Sequence, residues 1–280
     1  MNPPISIVIR TFNSARTLPL VLERLRLLPG DEIIVVDSGS TDATLAIAEK
    51  QAARIFTAEK PFNYSKSLNL GFRAAKNPWV LVISSHCIPV SPEILNAFRP
   101  ASEFPMSVAV AYGQASLVEM KDESAKVSFV DKLDWERHRR IPGGNGIALY
   151  RRTCWEKHPF DETLVTAEDL EWFLWAIATG YIAARVPQAK VLYKNQGNLR
   201  HMFRKGWLEA KAARTMLGMK KMTISGLLIN VGSLGKRALF NELSPAIFFR
   251  QAAHALGAYL AVNFSTPAVE DRKQCGHKEK

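Results

Sequence analysis

The sequence predicts an α/β protein, a mostly parallel sheet flanked by helices, with a helical, basic extension towards the C-terminus. Three runs carry that expectation. Ile33-Ile34-Val35-Val36 is continuous and β-branched, the pattern of a strand covered on both faces. Ile5–Ile9 and Trp79–Ile83 repeat the pattern. Polar loops and then apolar positions at helical spacing follow these runs, which makes strand–helix–strand units with right-handed parallel crossovers.

Ile5–Ile9 ends in Arg10-Thr11-Phe12-Asn13-Ser14, where Asn13 or Ser14 can cap a helix carrying Leu18, Val21, Leu22 and Leu25. Pro29-Gly30 stops it. The stretch Asp31–Thr44, DEIIVVDSGSTDAT, then supplies the central strand, with Ser40 or Thr41 as cap of the next helix, Ala43–Lys50. Arg54–Phe56 is a short third strand. A helix over Ser67–Lys76 ends at Asn77-Pro78, and Trp79–Ile83 runs into Ser84-Ser85-His86-Cys87. Ser91 caps a helix with Pro92 in its first turn. Met106–Tyr112 is a further strand, Gly113–Arg140 is polar and irregular, and Ile141–Gly146 is a flexible loop before a strand over Ile147–Tyr150. A short helix follows Arg151-Arg152. Leu170, Phe173, Leu174 and Ile177 form one face of a helix that Thr166 and Asp169 open in the manner of a capping box.

Three polar loops therefore follow parallel strands immediately: Thr11 to Asn13, Asp37 to Ser38, and Ser84 to His86. In an open parallel sheet such loops share one edge, where ligands bind. Asp37 is the first candidate for a ligand contact.

The 280 residues are 47% hydrophobic, enough for one large domain with an appendage. Three scattered cysteines make neither a disulfide framework nor a metal-ligand spacing, which favours a reducing compartment. No basic leader precedes the first strand, and no run of about 18 apolar residues exists. Pro245–Phe264 is interrupted by Arg250 and His254. The net charge of +11 is uneven: from Lys194 onward 15 Lys and Arg face 5 Asp and Glu. Phe203, Trp207 and Leu208 interleave with that charge, a pattern suited to an anionic membrane surface or to a solvated face over a helical core. Nucleic acid is a weaker candidate, because no groove-reading or stacking motif accompanies the charge.

SIVIRTFNSARTL, EIIVVDSGSTDAT, GGNGIALYRR and AEDLEW together resemble the inverting nucleotide-sugar glycosyltransferases of glycosyltransferase family 2, over about Ile5 to Gly206. The resemblance implies a glycosyltransferase A fold over 1–206; beyond it the apolar and basic pattern reads as an amphipathic helical extension over 207–265, and the polar 266–280 as a disordered tail. It implies transfer of a hexosyl or deoxyhexosyl group from a nucleotide diphospho-sugar to a saccharide or lipid-linked acceptor, in cell-surface polysaccharide or glycolipid assembly. The expected location is cytoplasmic, peripheral at the inner face of the cell membrane. Thr11, Asn13, Asp37 and Ser38 would hold the nucleoside, with Asn69 and Gly71 covering it and Ser84, His86 and Lys194 nearer the diphosphate. Asn145, Glu171 and Trp172 would line the sugar and acceptor side. Asp169 of the Glu168-Asp169 pair would be the catalytic base, since inverting transfer needs a carboxylate to take the acceptor's proton.

Relatives hold Mg²⁺ or Mn²⁺ with Asp-x-Asp after the fourth strand. Here those positions are Ser84-Ser85-His86, two serines and one imidazole. Metal independence is the expectation, with His86 the one candidate ligand and Lys194 taking part of the metal's role. The same departure leaves open a second class of function, a catalytically impaired sugar-nucleotide-binding or scaffold protein.

Overall fold

A computed structural model describes residues 3–51, 53–100, 104–117, 126–138, 142–164, 166–194, 197–217, 223–239 and 244–264, without the side chains at 226, 230, 234–239 and 245. The chain divides into two compact units, Met1–Asn195 and Gln196–Lys280.

The first unit runs β1 (Ile5–Thr11), α1 (Leu18–Leu22), β2 (Glu32–Asp37), α2 (Thr44–Lys50), β3 (Arg54–Thr57), α3 (Tyr64–Ala74), β4 (Trp79–Ser84), β5 (Cys87–Pro89) and α4 (Ile94–Phe98). It continues with β6 (Val108–Ser116), β7 (Ser128–Val130), α5 (Lys132–His138), β8 (Ile147–Arg151), α6 (Arg152–Lys157), α7 (Glu168–Ala178) and β9 (Ile182–Tyr193). One sheet has the order β3-β2-β1-β4-β8-β6-β9-β5, with β7 also paired to β9. The expected parallel arrangement holds across β3, β2, β1 and β4. Beyond β4 the sheet is mixed: β8 is antiparallel to both β4 and β6, while β6 and β9 are parallel. The alternation of strand and helix stops after β4, and an antiparallel neighbour needs no crossover helix.

Both faces of the parallel half are covered, as its continuous apolar runs require. Ile7, Ile9, Val35, Leu81 and Ile83 join Leu18, Val21, Leu95 and Phe98 in one core cluster. Val8 and Val36 meet α3 on the other face. That helix begins at Tyr64, earlier than expected, because the Asn63 side chain caps it by accepting from the Lys66 N–H at 2.9 Å. The segment expected to be irregular contains the end of β6, then β7 and α5, while 118–125 and 139–141 lie outside the described residues.

Register sets the functional edge. Thr11 pairs with Asp37 and Arg10 with Ser84, so β1, β2 and β4 end side by side. Ile83 pairs with Ile147, and the Ser84 N–H donates to the Gly146 carbonyl at 3.2 Å. The loop before β8 therefore opens on the same edge.

The second unit holds α8 (Leu199–Leu217), α9 (Ile224–Leu239) and α10 (Pro245–Phe264). The boundary expected after Gly206 falls inside α8, a continuous helix-forming run, and the division lies instead between Asn195 and Gln196. His254 Nε2 meets Glu209 at 2.9 Å across α10 and α8. Among the described residues no helix is long and apolar enough to cross a membrane. The tail at 266–280 lies outside the described residues.

Candidate active site

On the β1–β2 side the loop is organised around Asp37, which is 2% exposed. Its carboxylate accepts from Thr11 Oγ1 (2.8 Å), the Gly39 and Ser40 N–H groups (2.8 Å each) and Ser40 Oγ (2.6 Å). Burial opposes its ionisation, but the Ser40, Thr11 and Gly39 donors outweigh that and hold the carboxyl below its ordinary value. Asn13, at φ 47°, accepts from the Thr41 N–H at 2.8 Å, and its own N–H donates to Ser40 Oγ at 2.8 Å. Two loops are thus tied into one wall. Ser38, Asn13 and Phe12 are its more accessible residues.

Across the same edge lie Glu168 and Asp169 at the start of α7. The expected capping box is absent: the N-cap is Ala167, without a side-chain cap and in the left-handed region at φ 65°. Asp169 instead accepts from the Asn145 N–H at 3.0 Å and from the Leu170 N–H at 2.9 Å. Asn145 Nδ2 donates to Glu168 Oε1 at 3.1 Å, and Tyr150 Oη donates to Asn145 Oδ1 at 2.7 Å. Burial first, and the Tyr112 and Asp169 charges after it, drive the Tyr150 hydroxyl well up, so it stays a donor. Burial and the neighbouring Glu168 push Asp169 up to about 6, against the pull of its two N–H donors and Arg10. Gly144 allows this geometry, since a Cβ there would stand 2.6 Å from Asp169 Oδ2. A carboxyl poised near neutrality and reached by a backbone N–H can accept a proton.

Several expected site residues are turned elsewhere. Asn69 is sealed in α3: its amide donates to the Phe160 carbonyl and Glu162 Oε1 (2.9 Å each) and accepts from Trp155 Nε1 and the Phe160 N–H (3.0 Å each). It pins the segment leading to α7 rather than covering a nucleotide. Gly71 lies against the sheet, where a Cβ would stand 2.5 Å from Val8 Cγ1. Glu171 reaches His158 Nε2 at 3.1 Å, and residues two apart on a helix point about 200° apart, so it diverges from Asp169. Trp172 is fully buried, donates to the His158 carbonyl at 2.7 Å and packs on Tyr150. These are corrections: periodicity located the helices but not what each face meets. Asn145, Glu168, Asp169, Ser84 and Arg10 do come together. Arg10 and Tyr150 were missed, although a lone charge ending the apolar run of β1 is a readable signal for Arg10.

The donor set after β4 does not fit a divalent ion. Ser84 Oγ donates to the Asn145 carbonyl at 3.1 Å, and Ser85 Oγ shares a hydrogen bond with Ser14 Oγ at 2.8 Å. The His86 ring stands edge-on to Tyr193. Among the described residues no group of three His, Cys, Asp or Glu side chains could hold a metal. Lys194 is exposed, and its N–H donates to the His86 carbonyl at 2.8 Å. A cavity of about 430 Å³ lined by Ser107, Arg151, Lys157 and Tyr181 opens elsewhere. Its cations are engaged, Arg151 with the Val108 and Pro105 carbonyls and Lys157 with Tyr181 Oη.

Comparisons with known proteins give the family and the fold. A family model described as glycosyl transferase family 2 matches residues 6–154. An O-antigen chain rhamnosyltransferase of Salmonella typhimurium is 26% identical over 219 residues, 72% of this chain and 69% of that protein. Among solved structures, a mannosyltransferase from Pyrobaculum calidifontis in complex with GDP-Man and Mn²⁺ superposes with a TM-score of 0.60 at 14% identity, over 94% of this chain and 87% of that one. Glucosyl-3-phosphoglycerate synthase from Mycobacterium tuberculosis, in complex with Mg²⁺ and UDP, gives 0.57 at 18% identity, over 75% and 78%.

Proposed function

The chain belongs to glycosyl transferase family 2 and is a glycosyltransferase; on that premise we propose that it transfers a sugar from a nucleotide diphospho-sugar with inversion, in one displacement. The observation that carries the reading is Asp169, a carboxyl raised to about 6 and held by the Asn145 N–H beside the Asp37 loop. The wall of Asn13, Ser38 and the Thr11–Asp37 pair receives the nucleoside, with Asp37 shaping the loop and Ser38 and Asn13 offering the accessible polar groups. Asp169 takes the proton from the acceptor hydroxyl. That oxygen attacks the anomeric carbon as the bond to the nucleoside diphosphate breaks on the opposite face. Glu168 and Asn145 orient the base. The departing diphosphate gains negative charge, which Lys194 helps to offset. Transfer has weak or no dependence on Mg²⁺ and Mn²⁺.

The O-antigen chain rhamnosyltransferase supports a deoxyhexosyl donor, within the hexosyl or deoxyhexosyl class, and a role in surface polysaccharide assembly; a saccharide or lipid-linked acceptor completes the reading. The second unit suits the membrane where such acceptors lie. Ile224, Leu228 and Ile229 of α9 are 65%, 64% and 70% exposed, in the part of the chain with most of the positive charge. Leu228→Glu with Ile229→Glu should weaken binding to anionic vesicles.

The test is a panel of nucleotide sugars, followed for nucleoside diphosphate release with EDTA and with Mn²⁺, and for product anomeric configuration by NMR. Transfer in EDTA with inverted configuration is expected. Retained configuration overturns the mechanism, and strict Mn²⁺ dependence overturns the metal independence. Donor binding without any turnover would favour the catalytically impaired binder.

A further inference from the structure

The second cation of the site is an arginine on the neighbouring strand. Arg10 shares the Val8 face of β1, because strand residues alternate, and that face meets α3. Its guanidinium lies 4.9 Å from the Tyr64 ring centroid at the start of α3. Its Nη1 is 3.6 Å from Glu168 Oε1, an ion pair too long for a hydrogen bond, with the Arg10 side chain only 12% exposed. Nε and Nη1 are buried, and no acceptor among the described residues bonds to either. Buried donors are rarely left unmade, so a guanidinium with two of them open calls for a partner.

Its place in the sheet says which ligand. Arg10 pairs in register with Ser84, and its carbonyl accepts from the Ser85 N–H at 3.4 Å. It therefore stands directly beside the segment whose side chains do not fit a divalent ion. Glu168 and Asp169 already bring negative charge to this edge, and a diphosphate brings more. A fixed cation is required there. A planar guanidinium presents parallel N–H groups that match a phosphate's oxygens.

We propose that Arg10, held between Tyr64 and Glu168, binds the diphosphate of the donor and carries the charge stabilisation of the leaving group. The proposal rests on the nucleotide-sugar reading above. On it, Arg10 Nε and Nη1 donate to phosphate oxygens, and the bond-breaking step leaves its negative charge against a cation built into β1. The Tyr64 ring and Glu168 hold the guanidinium in place before the donor arrives, so little reorganisation accompanies transfer.

Calorimetry in EDTA tests this without turnover. UDP, GDP and dTDP are each titrated against their own nucleosides, into wild type, Arg10→Gln and Arg10→Lys. For the diphosphate that wild type prefers, Arg10→Gln should weaken binding about 10- to 100-fold, the scale of one charge-assisted hydrogen bond. Nucleoside affinity should hold within about twofold, well under one hydrogen bond's worth. Arg10→Lys, which keeps the charge and the fold but not the fork, should lie between. If Arg10→Gln does not fold, the lysine variant decides alone. An unchanged ratio of diphosphate to nucleoside affinity overturns the proposal, whether neither affinity changes or both weaken equally, the latter being the result expected if Arg10 only braces the fold of the site through Glu168. A wild type that binds no nucleotide and transfers no sugar fails the glycosyltransferase reading itself, and the proposal with it.

Discussion

Asp37 and Asp169 stand on the same edge of one sheet and have opposite electrostatics. Asp37 ends β2 and faces four donors, two of them hydroxyls and two backbone N–H groups. Asp169 starts α7 and has two N–H donors, but a second carboxylate adjoins it. Both are desolvated. The first has its charge stabilised beyond that cost and the second does not, so one is depressed and the other raised to about 6. A carboxylate with every lone pair engaged shapes a loop, whereas one with a displaced titration can exchange a proton at neutral pH.

The sharpest way to break the comparison is to remove each charge. Asp169→Asn should lower turnover roughly 10²-fold or more, the scale of general-base catalysis, with donor affinity little changed. Steady-state kinetics and calorimetry read the two separately, and near-normal turnover would move the base role to Glu168. Asp37→Ala should act the other way round. It strands buried donors at a cost of about 1–3 kcal/mol and should loosen nucleotide binding more than the chemical step at saturating donor. Equal nucleotide affinity in a folded Asp37→Ala protein would remove that loop from the site.

Protons sharpen the comparison. Turnover should rise with pH through about 6, where Asp169 loses its proton, and level off above. Stability follows the same shifts with opposite signs. Asp37 has a depressed folded value, so its contribution is present above the ordinary 3.8 and is lost as the pH falls through the folded value. Asp169 is raised above 3.8, so its protonated form favours folding and stability is lost as pH climbs towards about 6. Between pH 4 and pH 7 the melting temperature of wild type should therefore fall relative to that of Asp169→Asn, which lacks this titration. An unchanged difference between the two across that range would contradict the raised value.

The smallest effect concerns the backbone beneath Asp169. Ala167 holds a left-handed conformation at φ 65° that only glycine adopts freely. Ala167→Gly should change stability by no more than about 1 kcal/mol, towards a gain, because relief of strain exceeds the added freedom of the unfolded chain. Denaturant titration checks it.

The parallel half of the sheet was legible in the amino-acid order. Ile5–Ile9, Ile33–Val36 and Trp79–Ile83 are apolar on both faces, and the polar residues ending them had to meet at one edge once the strands were parallel. Glu168 and Asp169 were legible as a pair, and Asn145 only as a residue of the sugar and acceptor side, through family likeness. Tertiary structure alone decided the rest. β8 lies antiparallel beside β4, about sixty positions away in the chain, and this brings Gly144 and Asn145 to Asp169. Asn69, Glu171 and Trp172 have site-like chemistry, yet face Phe160, His158 and Tyr150, partners set by packing between distant segments. Arg10 carried no local sign of its partner, because Glu168 is more than 150 residues further along. Local periodicity reports which face of an element is apolar, while the register between remote elements determines which polar groups converge.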